Sequence, residues 1–307
     1  MSAKFIFAID LGGTNLKIGI LDLNYRIKDK QVLSTKKLRR KEYLISAIVS
    51  SVDSMIKGNG LIKKDILGIG LGFPGPIDIK RGIVHFLPNI PGWKEVSLQK
   101  ILKSKLKLPV FIDNDANLMS LAEQRLGAAK GLRNVVCLTL GTGVGAGIII
   151  EDRLYRGSNF AAGEIGHMPI NEKGPLCNCG GVACLEAYVG NVPILKEAKK
   201  IFGSGISLEE VSLLAKRGNK SAEKFWLRIA ERLAVSIVGV VNLLNPDAIV
   251  IGGGVANAGA VLFDRIKHVV KKQAMPVQAK AVKILRAKMG NNAGLIGAAL
   301  LVKENIR

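Results

Sequence analysis

The chain has 307 residues, 48% of them hydrophobic, enough to bury a large core and to exclude a disordered or low-complexity polypeptide. Lys and Arg number 45 against 24 Asp and Glu, a formal net charge of +21 spread over residues 26–41, 94–107 and 265–288. Aromatics make up only 5%, so stacking platforms are scarce; nucleic acid is not expected as a partner, and the charge suits anionic substrates.

The N-terminal "KFIFAID" meets Asp10 too soon for a signal-peptide core. The longest apolar stretch, Leu233 to Leu244, is about twelve residues, whereas a membrane span needs about twenty. No membrane partner is therefore expected, and the chain reads as cytoplasmic. Four cysteines in this length also argue against a disulfide scaffold.

In chain order, "KFIFAIDLGGTNLKIGILDLN" reads as strand, glycine turn, strand. "EYLISAIVSSVDSMIKG" has helical periodicity and ends on glycine. "ILGIGLGFPGPID" is a buried strand leading into a rigid turn, and "PVFIDNDANLMSLAEQRLG" a strand passing into a helix that closes at Gly127. "NVVCLTLGTGVGAGIIIEDRLYRG" then repeats the strand–turn–strand unit, roughly 130 residues after the first, which suggests two similar halves. Ser207 and Glu210 form a capping box, a longer helix covers about Ala222 to Leu244, "DAIVIGGGV" is a strand with a glycine turn, and "GNNAGLIGAALLVKEN" is a last helix. Strands alternating with helices predict an α/β protein. The expected division is a smaller α/β domain of residues 1–116, completed by the C-terminal helix at 293–307, and a larger one of residues 117–292.

Three glycine turns follow strands. "DLGGTNLK" (Asp10–Lys17) and "GTGVGAG" (Gly141–Gly147) occupy matching places in the two halves. Such turns can aim backbone N–H groups at phosphate oxygens because no Cβ blocks the approach, and Asp10 could hold magnesium directly or through water. A plain hairpin is the alternative for the first. "IGGGV" (Ile251–Val255) could take a flat ring against bare backbone, or simply turn a strand into a helix. No Gly-Lys dipeptide exists, which excludes a P-loop. Gly70 to Gly75 matches G-x-G-x-x-G, but "FPGPID" blocks the helix that this fingerprint must open, so the match is accidental.

"FIDNDAN" places Asp113, Asn114, Asp115 and Asn117 at a strand's C-terminal end, where α/β folds bind ligands. One of them serves as N-cap; a carboxylate kept ionised by the helix N-terminus could also take a proton from a substrate hydroxyl. Cys177, Cys179 and Cys184 crowd into twelve residues, with His167 ten residues upstream. Three thiolates and one imidazole make a closed tetrahedral zinc site, the alternative being buried thiols or a redox pair. Such a metal would pin Glu164 and Glu186, which flank the ligand set. Cys137, inside an apolar strand, reads as core.

Over its whole length the chain resembles the ROK family (repressors, open reading frames, kinases), above all its bacterial glucokinases. The motifs "DLGGTNLK", "GFPGPID", "PNIPGW", "DNDAN", "GTGVGAG", "GEIGHM", "CNCGGVACLE" and "IGGGV" stand in family order. The resemblance implies a two-domain, actin-like and ribonuclease-H-like ATPase fold with an interdomain cleft, and ATP-dependent phosphorylation of a sugar hydroxyl. By position it makes Asp115 the catalytic base and places Asn89, Asn114, Glu164, His167 and Glu186 on the sugar. Asp10, Gly12, Gly13, Thr14, Lys17, Thr142 and Gly143 fall in the phosphate and magnesium region, Gly253 and Gly254 on the adenosine side. His167, Cys177, Cys179 and Cys184 are the implied zinc ligands. The expected cofactors are thus ATP, Mg2+ and a structural Zn2+, and the expected assembly a homodimer or higher homo-oligomer.

Glucose is the expected acceptor, with N-acetylmannosamine, N-acetylglucosamine or fructose as alternatives. The repressor branch is disfavoured because Asp10 already lies in the first turn, where repressors carry a preceding helix-turn-helix. Two positions depart from the family pattern. Ala183 replaces a glycine in the thiol motif, at a cost of about 1 kcal/mol or more if φ is positive there. Asn292 stands where many relatives carry Asp.

Overall fold

The computed structural model describes residues 4–87 and 90–306. Its elements run β1 (Phe5–Leu11), β2 (Asn15–Asp22), β3 (Ile27–Ser34), α1 (Lys41–Gly58), β4 (Ile66–Phe73), β5 (Ile77–Asp78), β6 (Ile83–Phe86), β7 (Lys94–Val96), α2 (Leu98–Leu106), β8 (Val110–Asn114) and α3 (Asp115–Arg125). The chain continues through β9 (Val135–Leu140), β10 (Val144–Ile150), β11 (Arg153–Tyr155), α4 (Glu186–Val189), α5 (Asn191–Phe202), α6 (Leu208–Lys216) and α7 (Lys220–Leu244). It ends with β12 (Ala248–Gly253), α8 (Ala260–Gln273), α9 (Pro276–Ala281), β13 (Lys283–Arg286) and α10 (Ala293–Asn305). Among the described residues no helix is long and apolar enough to cross a membrane.

Two compact units result. The first comprises the chain up to Ala122, the segment Arg156–Ala162 and the chain from Asn291 onward; the second comprises Glu123–Tyr155 and Gly163–Gly290. Each is built on a five-stranded sheet, ordered β3-β2-β1-β4-β8 in the first unit and β11-β10-β9-β12-β13 in the second. In both, the first three strands of the order pair antiparallel and the last two join in parallel. The repeat legible in the two glycine-turn hairpins therefore extends to the whole sheet.

Alternation along β1 sorts the core of the first unit into two layers, since successive strand residues point to opposite faces. Phe7 and Ile9 join one layer with Leu44, Ile48 and Val52 of α1 and Leu102 of α2. Ile6 and Ala8 join the other, with Leu118 of α3 and Leu295, Ala298 and Val302 of α10.

The second layer explains the glycines of β4. A Cβ on Gly70 would overlap the backbone carbonyl of Ala298, and one on Gly297 the carbonyl of Leu118, so α10 lies directly on the strand and on α3. The "GIGLG" pattern serves helix-to-sheet packing and opens no helix. The second unit buries β9 and β12 against α7 and α8 through Val136, Leu138, Ile249, Ile251, Phe225 and Leu262.

Local signals act as their chemistry requires. Ser207 Oγ accepts the Glu210 N–H at 3.2 Å while Glu210 Oε2 accepts the Ser207 N–H at 2.8 Å, the reciprocal capping box of α6. Helix α7 starts at Lys220, two residues before the expected Ala222, because Asn219 is its N-cap and accepts the Ala222 N–H at 3.0 Å.

Candidate functional site

The β8–α3 junction fixes the three polar side chains differently. Asp113, 1% exposed, accepts the Asn114 N–H at 2.8 Å and the Asn117 Nδ2–H at 3.0 Å on Oδ1. Its Oδ2 receives both Nε (2.9 Å) and Nη2 (2.6 Å) of Arg156. Asn114 is the cap: its Oδ1 accepts the N–H of Ala116 at 2.9 Å and of Asn117 at 3.3 Å, and its Nδ2 donates to Gly75 O at 3.2 Å. Asp115 is half-buried at the first position of α3, and its Oδ1 accepts the Ala116 N–H at 2.9 Å.

Asp10 and Lys17 are paired in register across β1 and β2, and Lys17 Nζ lies 3.1 Å from Asp10 Oδ2. The same ammonium donates to the carbonyl of Asn291 at 2.9 Å. Gly294, in the first turn of α10, leaves no room for a Cβ beside the Asp10 carboxyl, so this acid sits against a helix N-terminus. The turn between the strands is closed by Gly12 N–H to Asn15 O at 2.9 Å, and Gly13, Thr14 and Asn15 are exposed. Thr35 ties the end of β3 to this turn, its N–H to Thr14 O at 3.0 Å and its Oγ1 to Gly13 O at 2.9 Å.

In the second unit, Gly141 N–H donates to Gly143 O at 2.9 Å and exposed Thr142 forms the tip. Glu186, at the start of α4, accepts the Val144 N–H at 2.8 Å, and the Asn191 N–H donates to Gly141 O at 2.9 Å, so α4 and α5 both begin against this turn. Gly253 adopts φ 86°, and a side chain there would overlap the Leu140 backbone, which is why the strand end must be glycine. Next to it a cavity of about 290 Å³ is lined by Gly254, Asn191, Leu195, Lys199, Ile206 and Leu208.

The segment from Glu164 to Glu186 folds around sulfur. Isolated bridges Pro169–Cys184 and Leu176–Val182 bring its arms together, and Cys177 N–H donates to Gly181 O at 2.8 Å. The ligand atoms of His167, Cys177, Cys179 and Cys184 all lie within 4.8 Å of one another. Cys177 Sγ is 3.7 Å from His167 Nδ1, and Cys179 Sγ is 3.7 Å from Cys184 Sγ. A tetrahedron whose centre lies about 2.3 Å from each sulfur has edges of about 3.8 Å, so these donors fit zinc in type and spacing.

Burial pushes the Cys184 thiol up to about 12, with the neighbouring cysteines adding to it, whereas the Gly181 N–H holds exposed Cys179 below its ordinary value. Ala183 is fully buried at φ 58°, the left-handed conformation for which the family pattern uses glycine. His167 turns Nε2 toward Glu164 Oε2, 3.8 Å away, and Glu164 is exposed. Cys137 is buried in β9, outside this group.

The expected residues thus come together unit by unit. The first holds Asp10 with Lys17, the Gly12–Thr14 turn, and Asn114 with Asp115; the second holds Gly143 with Glu186, Gly253 with Gly254, and Glu164 with His167 and the three cysteines. Asn89 lies outside the described residues. Arg156 was not anticipated, because its partner Asp113 is 43 residues away and nothing in the spacing signals the pair. The cavity beside Gly254 was equally invisible, since its lining comes from α5, the α5–α6 connection, the start of α6 and the turn after β12.

A ROK family profile matches residues 6–305. A glucokinase from Halalkalibacterium halodurans is 36% identical over 323 residues, covering 99% of this chain and 96% of the relative. The solved structure of a ROK hexokinase from Thermus thermophilus is 33% identical with a TM-score of 0.83, covering 98% of this chain and 99% of that one. A ROK family glucokinase from Streptomyces griseus, solved in complex with glucose and AMPPNP, is 30% identical with a TM-score of 0.84, covering 98% and 100%. The chain therefore belongs to the ROK family and has its two-unit, actin-like and ribonuclease-H-like α/β fold.

Proposed function

We propose that this chain is an ATP-dependent hexose kinase that transfers the γ-phosphoryl group of ATP to a sugar hydroxyl, with the 6-hydroxyl of glucose as preferred acceptor. What supports this most is the full-length identity to a glucokinase, taken with an acid at the first position of α3. Asp113 is held by Arg156 and Asn114 serves the helix cap, and Asp115, at the start of α3, is the carboxylate we assign to the substrate. It accepts the hydroxyl proton as the new P–O bond forms and the bond from the γ-phosphorus to the leaving ADP oxygen breaks.

The remaining roles follow from chemistry and place. Glu164 and Glu186 accept hydrogen bonds from the sugar's other hydroxyls, joined by His167 and by Asn114. Asn89 remains an expectation from its segment alone. The turns at Gly12–Thr14 and Thr142–Gly143 offer backbone N–H donors to phosphate, and Lys17 adds a cation. Gly253 and Gly254 present bare backbone to the adenosine, beside the cavity of about 290 Å³.

Asp10 supplies a hard oxygen for magnesium, which when bound neutralises phosphate charge. His167, Cys177, Cys179 and Cys184 would hold zinc with no position left for water, so that metal is structural and steadies the Glu164–Glu186 segment. We read the enzyme as cytoplasmic, where ATP is available, and as a homodimer or higher homo-oligomer.

An ATP-coupled assay across glucose, fructose, N-acetylmannosamine and N-acetylglucosamine tests the reading. Glucose should give the highest kcat/KM, and Asp115→Asn should lower turnover by about 10²–10⁴-fold while sugar binding survives. Absence of any sugar phosphate would overturn the proposal. Preference for an N-acetylhexosamine would move the substrate and keep the chemistry.

A further inference from the structure

The geometry points to Arg156 as a positioning residue for the Asp115 base, acting through Asp113; this rests on the proposed kinase reading. After β11 the chain joins the first unit for only seven residues, Arg156–Ala162, and Arg156 opens that excursion. Its guanidinium donates twice to Asp113 Oδ2, at 2.9 and 2.6 Å, with side chains 21% and 1% exposed. The other Asp113 oxygen is filled by Asn114 N–H and Asn117 Nδ2–H. Burying a carboxylate is costly unless its oxygens are paired, and Arg156 supplies the positively charged partner.

What Arg156 holds is the tip that carries the cap and the base. Asp113 anchors the backbone of Asn114 and the side chain of Asn117, in the first turn of α3, so its orientation sets the start of the helix and with it the aim of Asp115. Without Arg156, Asp113 Oδ2 loses both of its donors, and a buried carboxylate oxygen left unpaired is costly enough to disturb the contacts with Asn114 and Asn117. Displacing a reacting group by about 1 Å can cost about 10²-fold in rate.

The rest of the excursion is built, too. Ala162 N–H closes it onto Arg156 O at 3.0 Å, the Lys80 ammonium lies 5.6 Å from the Phe160 ring centre, and Phe160 holds φ 63°. An aromatic residue in the left-handed region persists only where its surroundings enforce it. The loop ends immediately before Gly163 and Glu164, so Arg156 anchors the segment that leads into an assigned sugar ligand.

Steady-state kinetics on the full chain, well below each variant's melting temperature, test the assignment. Arg156→Ala should lower kcat by about 10²-fold with the KM for ATP little changed. Arg156→Lys, which keeps charge but not the fork, should recover part of the loss, and guanidinium added to Arg156→Ala should recover part as well. Arg156→Ala with normal kcat and only a lower melting temperature would make the pair purely structural and overturn the inference. If Arg156→Ala does not fold, the double variant Asp113→Asn with Arg156→Gln replaces it, and normal kcat there overturns the inference equally. Asp115→Asn in parallel separates the two readings: if it stays active the base assignment fails, whereas an inactive Asp115→Asn beside a fully active Arg156→Ala fails positioning alone.

Discussion

Glu186 Oε2 accepts the backbone N–H of Val144 at 2.8 Å, and the same oxygen occupies the space a side chain on Gly143 would need. One carboxylate therefore joins the second-unit glycine turn to the start of α4.

Gly143→Ala should push that carboxylate off the turn. The obstructing atoms are the far end of a flexible side chain, so the fold should persist. A hydrogen bond to a charged group contributes about 1.5–3 kcal/mol, so the sugar KM should rise roughly tenfold or more. Kinetics over a glucose series check this, and an unchanged KM would remove Glu186 from the sugar ligands.

Gly70→Ala attacks packing instead. Its methyl would meet the Ala298 carbonyl, which is backbone and cannot rotate away. Moving α10 off β4 should cost about 1–3 kcal/mol or more, read as a lower denaturant midpoint with little change in slope.

Purified protein should carry about one zinc per chain, by elemental analysis. Cys177→Ser should lower that content, because it removes the thiolate that neighbours His167 Nδ1 at 3.7 Å. Prolonged chelation should lower the melting temperature and raise the sugar KM, since the loop between Glu164 and Glu186 loses its staple. Loss of zinc without either change would detach the metal from the sugar site.

The α6 capping box should give a small acid-sensitive contribution to stability. Hydrogen bonds from the backbone N–H and hydroxyl of Ser207 hold the Glu210 carboxyl below its ordinary 4.5. A depressed folded value means the stabilisation is complete above 4.5 and lost as pH falls through the lower, folded value. Glu210→Gln, which cannot ionise, should remove that component, so the variant's melting temperature should lose that pH dependence in the acid range. Parallel curves would deny the coupling.

Much of the site was legible because its residues cluster in sequence. The Asp10–Lys17 turn, Asp113–Asn117, the Gly141–Gly147 turn and the 167–184 His/Cys cluster each sit within a few turns of chain, where spacing alone constrains geometry. The doubled strand–turn–strand unit was legible for the same reason and marks the two sheets of identical order. Ala183, at a position where the family pattern has glycine, has φ 58°, the left-handed conformation that glycine adopts more readily than alanine.

Tertiary structure alone decided which distant groups meet. Arg156 reaches Asp113 over 43 residues, Lys17 reaches the Asn291 carbonyl over 274, and Gly70 is glycine because α10, from the far end of the chain, lies on it. Periodicity and turn chemistry report only on near neighbours along the chain. Burial, charge pairing and close approach depend on which surfaces the folded core brings into contact, and no local pattern encodes that.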